Sequence, residues 1–171
     1  MKIGIMSDSH DHLENIKKSV VIFRDKKVDY VIHLGDFVNP GSIKLFQGIK
    51  FVGIFGNNDG DKFRLIAAFS EIGGEIKGDF YEFEEDAMKF ACYHGTEFQI
   101  KDSLINCQKY DIVLYGHTHR CLNITVGKTI ALNPGTAHGF GDKATIAVFD
   151  TNTRQAEFIS LQHADNAYWS S

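Results

Sequence analysis

The sequence predicts an α/β fold of two stacked mixed sheets with helices outside them. Three observations carry that reading. Early in the chain, short apolar runs alternate with an amphipathic stretch, the pattern of a strand–helix–strand unit. From residue 80 onward, alternating runs come in pairs joined by short turns, as antiparallel hairpins do. Five of the apolar runs also end on Gly, Asp, Asn or His, which gathers polar side chains at one end of the strands.

Residues 2–6 form a short, continuous apolar run, expected as a strand buried on both faces. Leu13, Ile16, Val20 and Phe23 then recur at helical spacing, with Asp11 or His12 at the helix start. Residues 28–34 are the next strand, ended by Gly35-Asp36, and this order implies parallel pairing with a right-handed crossover. Asn39-Pro40-Gly41-Ser42 opens a short helix carrying Ile43, Leu45 and Phe46. A third strand, residues 51–55, leaves through Gly56-Asn57-Asn58-Asp59-Gly60, and a helix over 63–69 stops at Gly73-Gly74. Residues 80–93 are a hairpin about Glu85-Asp86, ended by His94-Gly95. A helix is expected over 97–109, carrying Phe98, Ile100 or Lys101, Leu104 and Ile105. Ile112-Val113-Leu114-Tyr115 is a short buried strand broken by Gly116. Residues 121–126 and 129–132 flank a Gly127-Lys128 turn, and Asn133-Pro134-Gly135-Thr136 is another polar exit. A last hairpin pairs 144–149 with 155–161. Beyond it only Tyr168 and Trp169 stand out, so 162–171 is expected as a loosely docked tail of one domain spanning 1–171.

A chain of 171 residues is long enough to bury a full core. Hydrophobic content of 43% and charged content of 23% are those of a soluble globular protein. A formal charge of −4 with no Lys/Arg run argues against general affinity for nucleic acid or acidic membranes. No apolar run reaches the length of a membrane span or a signal-peptide core. Cys92, Cys107 and Cys121 are widely spaced and lack a CxxC pattern, which fits a reduced, cytoplasmic setting. Fourteen Phe and six Tyr point to a large aromatic core, with Phe140 and Trp169 as aromatics able to make a homo-oligomer contact.

Ligands of open α/β sheets gather outside the carboxyl ends of the strands. Asp8, His10, Asp36, Asn57, His94, His117 and His119 all occupy such exits. Asp8/His10 and His117/His119 stand at i, i+2, and an extended backbone would turn each pair to one side. Three oxygen donors with four imidazoles suit divalent transition ions, whereas carboxylates alone would favour Mg²⁺ or Ca²⁺. Seven donors are too many for one tetrahedral ion and suit two ions sharing a bridging carboxylate.

Asp8-Ser9-His10, Gly35-Asp36, Gly56-Asn57-Asn58-Asp59, His94-Gly95 and Gly116-His117-Thr118-His119 resemble, in order, the five blocks of the calcineurin-like metallophosphoesterase superfamily. With its short chain and Asn133-Pro134-Gly135-Thr136, the sequence is similar to the small bacterial and archaeal phosphodiesterase subgroup, which also contains the retromer scaffold subunit. The resemblance covers all but the tail. It implies a four-layer αββα sandwich, with Asp8, His10 and His119 on a first ion, Asn57, His94 and His117 on a second, and Asp36 bridging them. It further implies a phosphodiesterase that attacks a small phosphate-ester substrate with a metal-bridging hydroxide. Mn²⁺ is the expected ion, with Fe²⁺, Zn²⁺ or Ni²⁺ as alternatives. Asp36, Asn57, Asn58 and His94 are the residues expected to serve catalysis.

One position departs from the family pattern. Many members carry a His after the Asn, which helps the leaving group and is oriented by the acidic residue that follows. Here Asn58 stands in that place. Asn donates a hydrogen bond but delivers no proton at neutral pH, so leaving groups that need little protonation, such as aryl groups, are expected. For Asn58 itself a turn-compatible loop role and a substrate contact are both open, and Asp59 has no His to orient. His33 is expected as a satisfied buried histidine, His12 as a solvated helix start and His163 on the surface; His138 lies in a glycine-rich loop, with a place at the rim of the site as the lesser alternative. Two other functions stay open: a phosphomonoesterase, nucleotide hydrolase or nuclease on the same site, and a non-catalytic scaffold.

Overall fold

In the computed structural model, which describes residues 1–140 and 143–162, the first sheet is built on parallel β1 (Lys2–Met6), β2 (Tyr30–His33), β3 (Phe51–Gly53) and β4 (Glu75–Ile76). Antiparallel β10 (Thr145–Asp150) and β11 (Gln155–Ser160) complete it in the order β11-β10-β1-β2-β3-β4. The second sheet runs β5-β6-β7-β9-β8, from β5 (Phe80–Glu85), β6 (Met88–Tyr93), β7 (Ile112–Leu114), β8 (Cys121–Val126) and β9 (Thr129–Pro134). Its centre, β6-β7-β9, is parallel and its two edges are antiparallel hairpin partners. Helices α1 (Leu13–Asp25) and α2 (Lys62–Glu71) and a 3₁₀ segment (Pro40–Phe46) follow strands of the first sheet, and α3 (Phe98–Asn106) follows β6. His163, Tyr168 and Trp169 lie outside the described residues.

Alternation along the strands sorts three buried clusters into the spaces between four layers. Ile3, Ile5, Ile32 and Phe149 of the first sheet meet Phe90, Ile112, Leu114 and Leu132 of the second. Behind the first sheet, Ile16, Val20 and Phe23 of α1 and Leu65 and Phe69 of α2 pack with Phe46 and Phe51. Behind the second sheet, Ile105 of α3 packs with Ala91, Val113 and Ala131. The many Phe are used mainly here: Phe51 is stacked between Phe46 and Phe69, with centroids 3.9 and 4.7 Å away. Each such pair adds about 0.5–1.5 kcal/mol to the burial of its area.

Three features depart from the sequence reading. The two-residue strand β4 was not expected, because Glu75–Ile76 is too short to carry a period. Only part of the apolar set of α3 forms its buried face: Ile105 is buried and Leu104 packs beside it, whereas Phe98 and Ile100 are exposed. Leu13, expected in the apolar stripe of α1, is also exposed, at the first residue of the helix.

Candidate metal centre

The exits of β1, β2, β6 and β7 converge at one end of the sandwich. Asp8, Asp36 and His94 are buried there, while His10 and His119 are half-buried. His94 Nε2 lies 3.4 Å from Asp36 Oδ2 and 3.9 Å from Asp8 Oδ1. His119 Nε2 is 3.2 Å from Asp8 Oδ1, and His10 Nε2 is 3.6 Å from Asp36 Oδ2. Donor atoms of Asp8, His10 and His119 lie within 4.8 Å of one another, and so do those of Asp8, Asp36 and His94. The carboxylate common to both groups is Asp8, whereas the family pattern puts the shared role on Asp36; yet Asp36 also reaches both sides, through His94 and His10. His117 stands edge-on to His94 at 5.2 Å between ring centroids. Asn57 is exposed on the β3 exit loop, where its Oδ1 accepts from Thr96 Oγ1 at 3.3 Å.

The backbone reaches this arrangement by a route the i, i+2 spacing does not suggest. Asp8, His10, Asp36, His117 and His119 have φ of 53°, 41°, 61°, 64° and 59°, so neither pair sits on an extended segment. Asp and His are among the side chains that tolerate the left-handed region. Cross-bonds hold them there: Asp8 N–H donates to Gly35 O and His10 N–H to Asp36 O, each at 3.0 Å, and His117 N–H donates to Asp8 Oδ2 at 3.0 Å. Two glycines admit the carboxylates. A Cβ on Gly56 would overlap Asp36 Oδ1, and one on Gly116 would overlap Ser7 Oγ and crowd Asp8 Oδ2.

Hydrogen bonding fixes which imidazole nitrogens are available. His94 Nδ1 lies 2.7 Å from Leu34 O, an acceptor only, so Nδ1 carries a proton and the neutral ring turns a lone pair toward two carboxylates. Burial opposes charging of His94, but Asp36 and Asp8 outweigh it and raise its proton affinity above the ordinary value. The contact with Asp8 raises that of His119 likewise. Burial alone would push Asp36 up, yet His94 and the two bonds from Asn58 hold its carboxyl well below the usual range. His33 is not among the converging ligand atoms. Its Nδ1 accepts from Gly35 N–H at 3.2 Å, its Nε2 faces Ser9 Oγ at 2.9 Å, and burial pushes it down to about 3, so it stays neutral.

Among the described residues, the buried side-chain atoms without a hydrogen-bond partner are Ser7 Oγ, Asp8 Oδ1, His10 Nε2 and His94 Nε2. Each such atom costs about 1–3 kcal/mol if left unpaired. Three of the four belong to the converging acid and imidazole groups, and a divalent cation is what satisfies a carboxylate oxygen and two imidazole lone pairs at once. The donor set fits a metal.

Residues 1–154 match the profile described as the calcineurin-like phosphoesterase superfamily domain. The chain belongs to that superfamily. The family places it among phosphoester hydrolases and implies divalent metal ions. It is 40% identical over 166 residues, 95% of this chain and all of the other, to the phosphodiesterase MJ0936 of Methanocaldococcus jannaschii. A solved structure described as a novel archaeal phosphodiesterase superposes with a TM-score of 0.89 at 39% identity, covering 94% of this chain and 99% of that one. The zinc complex of Vps29 from Entamoeba histolytica shares the fold at 14% identity, with a TM-score of 0.68 over 94% of this chain and 99% of that one.

Four further residues of this superfamily member make contacts that the sequence does not announce. Asn58 sits in the turn that the loop reading gave it and is in addition bonded to Asp36, its N–H to Oδ1 and its Nδ2 to Oδ2, both at 2.8 Å. Asp59 orients no histidine. Instead it accepts from the N–H groups of Asp36, Phe37, Val38 and Gly56 at 2.6–3.2 Å and ties the β2 exit to the β3 exit. His12 is not merely solvated: its Nδ1 accepts from Asn15 N–H at 3.3 Å and caps α1. His138 does reach the rim, with its ring centroid 5.7 Å from that of His10. Asn58→Ala is expected to lower metal affinity or ester turnover about tenfold, because the carboxylate it steadies is freed to swing. Metal titration and steady-state kinetics on the variant test this, and unchanged values would remove Asn58 from the site.

Proposed function

We propose that this superfamily member is a phosphodiesterase of small phosphate esters that works with two divalent transition ions. Asp8, His10 and His119 would hold one, Asn57, His94 and His117 the other, and Asp36 would lie between. The observation that carries this reading is the convergence of three buried, unpartnered donor atoms, Asp8 Oδ1, His10 Nε2 and His94 Nε2. The phosphodiesterase named among its relatives, at 40% identity over its full length, supports the choice of diesters. Bound there, the ions would supply a nucleophile from water and neutralise charge on the phosphoryl oxygens. The chain's own contribution is positional: Leu34 O keeps the His94 lone pair facing inward, and Asn58 holds Asp36 in one orientation. Mn²⁺ is the ion proposed for assay, although Fe²⁺, Zn²⁺ and Ni²⁺ suit the same donors. Among the described residues no helix is long and apolar enough to cross a membrane. Free, exposed Cys107 and Cys121 suit a cytoplasmic setting.

The test is a comparison of bis-(p-nitrophenyl) phosphate with p-nitrophenyl phosphate on protein stripped by chelator and reloaded with Mn²⁺, with Asp36→Ala as control. Faster diester turnover, lost on stripping and in the control, is the expected result. Faster monoester turnover would reassign the enzyme to monoesters. Absence of metal-dependent turnover of either would favour a scaffold.

A further inference from the structure

We infer that His138 and Phe140 form a subsite for the substrate's ester group beside the His10 side of the centre, the imidazole Nε2–H donating to an ester or phosphoryl oxygen and the phenyl face taking a flat substituent. The inference rests on the phosphoesterase reading above and adds a specificity element to it. The loop that carries the two residues is bonded to the site itself. His138 N–H and Thr136 Oγ1 both donate to Asp8 O at 3.0 Å, and Ala137 N–H donates to Ser7 O at 2.9 Å. From the other side Asn15 Nδ2 donates to Ala137 O at 2.8 Å and His138 O at 3.1 Å, which clamps the loop to α1. A residue bonded through its backbone to Asp8 keeps its distance from the centre.

The His138 ring is edge-on to His10 at 5.7 Å and to His12 at 5.3 Å, and it stacks on Phe140 at 3.7 Å with planes 24° apart. Its Nδ1 accepts from Phe140 N–H at 3.0 Å, so the neutral ring carries its proton on Nε2. That nitrogen is the one left to meet a ligand, and it can only donate. Phosphoryl and ester oxygens only accept. Phe140 is 76% exposed, an apolar ring held next to a charged centre, and flat groups stack on such rings. Asn58 Nδ2 has one of its two N–H groups on Asp36.

Binding of phenylphosphonate and methylphosphonate to the Zn²⁺-loaded protein, followed by calorimetry, tests the subsite without turnover. His138→Asn keeps an oxygen where Nδ1 accepts from Phe140 N–H but lacks the outer donor, whereas His138→Gln restores an N–H near Nε2. The expected result is roughly tenfold or more weaker binding of both phosphonates in His138→Asn, recovered to within a few-fold in His138→Gln. Phe140→Ala should weaken phenylphosphonate about five- to tenfold and leave methylphosphonate unchanged. With an aryl diester the same losses should appear mainly in KM. Unaltered affinity in His138→Asn, equal losses of both phosphonates in Phe140→Ala, or no phosphonate binding by the wild type would each overturn the subsite. Should the binding pattern hold while no ester is turned over, the diesterase reading fails and the subsite stands. Diester turnover indifferent to both residues is the reverse case.

Discussion

Asp36→Asn is expected to cut metal-dependent ester turnover by at least about 10³-fold while leaving the protein folded, since the several kcal/mol that a metal centre contributes to the barrier depend on its ligand charge. The carboxylate is 1% exposed, faces His94 Nε2 at 3.4 Å and His10 Nε2 at 3.6 Å, and is gripped at both oxygens by Asn58. Asn keeps the shape, retains an oxygen for Asn58 N–H, and tolerates the φ of 61° at this position better than Ala does. What it removes is the charge, together with the acceptor that Asn58 Nδ2 now meets at Oδ2. Two measurements separate the outcomes. Turnover of the aryl diester should vanish, and the rise in melting temperature produced by saturating Mn²⁺ should shrink, because that rise reports RT ln(1 + [L]/Kd). A variant that loses turnover yet keeps the full metal-induced rise would place Asp36 in catalysis without ligation. One that keeps turnover would dissolve the proposed centre.

How much of this was legible in the sequence differs from residue to residue. The strand exits were readable because each is a sharp change from a buried apolar run to a polar side chain, as at Met6-Ser7-Asp8 or Leu34-Gly35-Asp36, and a parallel sheet aligns such exits at one end. The conformation of the exits was not. Asp8 and His10 look extended from spacing alone, and their left-handed φ is held by bonds to the Gly35-Asp36 loop, which carry no local signature. Asp59 shows the same limit. Three of its four partners are backbone N–H groups more than twenty residues earlier, and a backbone donor is identical at every position, so no pattern announces the contact. His138 lies far along the chain from Asp8, and only the bonding of its loop to the β1 exit brings it to the rim. The α3 residues failed for a different reason: apolar spacing gives a period but not which face meets the sheet, and Phe98 lies at the solvent side.

The second large effect is expected at Asp59, and it should be one of stability. Its two oxygens accept four backbone N–H groups, Phe37 and Val38 on one, Asp36 and Gly56 on the other. Hydrogen bonds to a charged acceptor are worth about 1.5–3 kcal/mol each, but water can replace part of them in this half-buried loop, so Asp59→Ala should cost about 2–4 kcal/mol in total. For a chain of this size that is a fall in melting temperature of roughly 5–15 °C. Asn is no milder a change here, since its amide nitrogen must face two N–H donors in place of an oxygen. Because the same bonds hold Asp36 at its strained φ, metal affinity should fall with stability, and the two losses should be partly relieved together by saturating Mn²⁺. Thermal melts with and without metal read both. Were Asp59 instead a proton donor or acceptor in the reaction, Asp59→Asn would lose turnover at an unchanged melting temperature, and that result would replace the loop clamp with a chemical role.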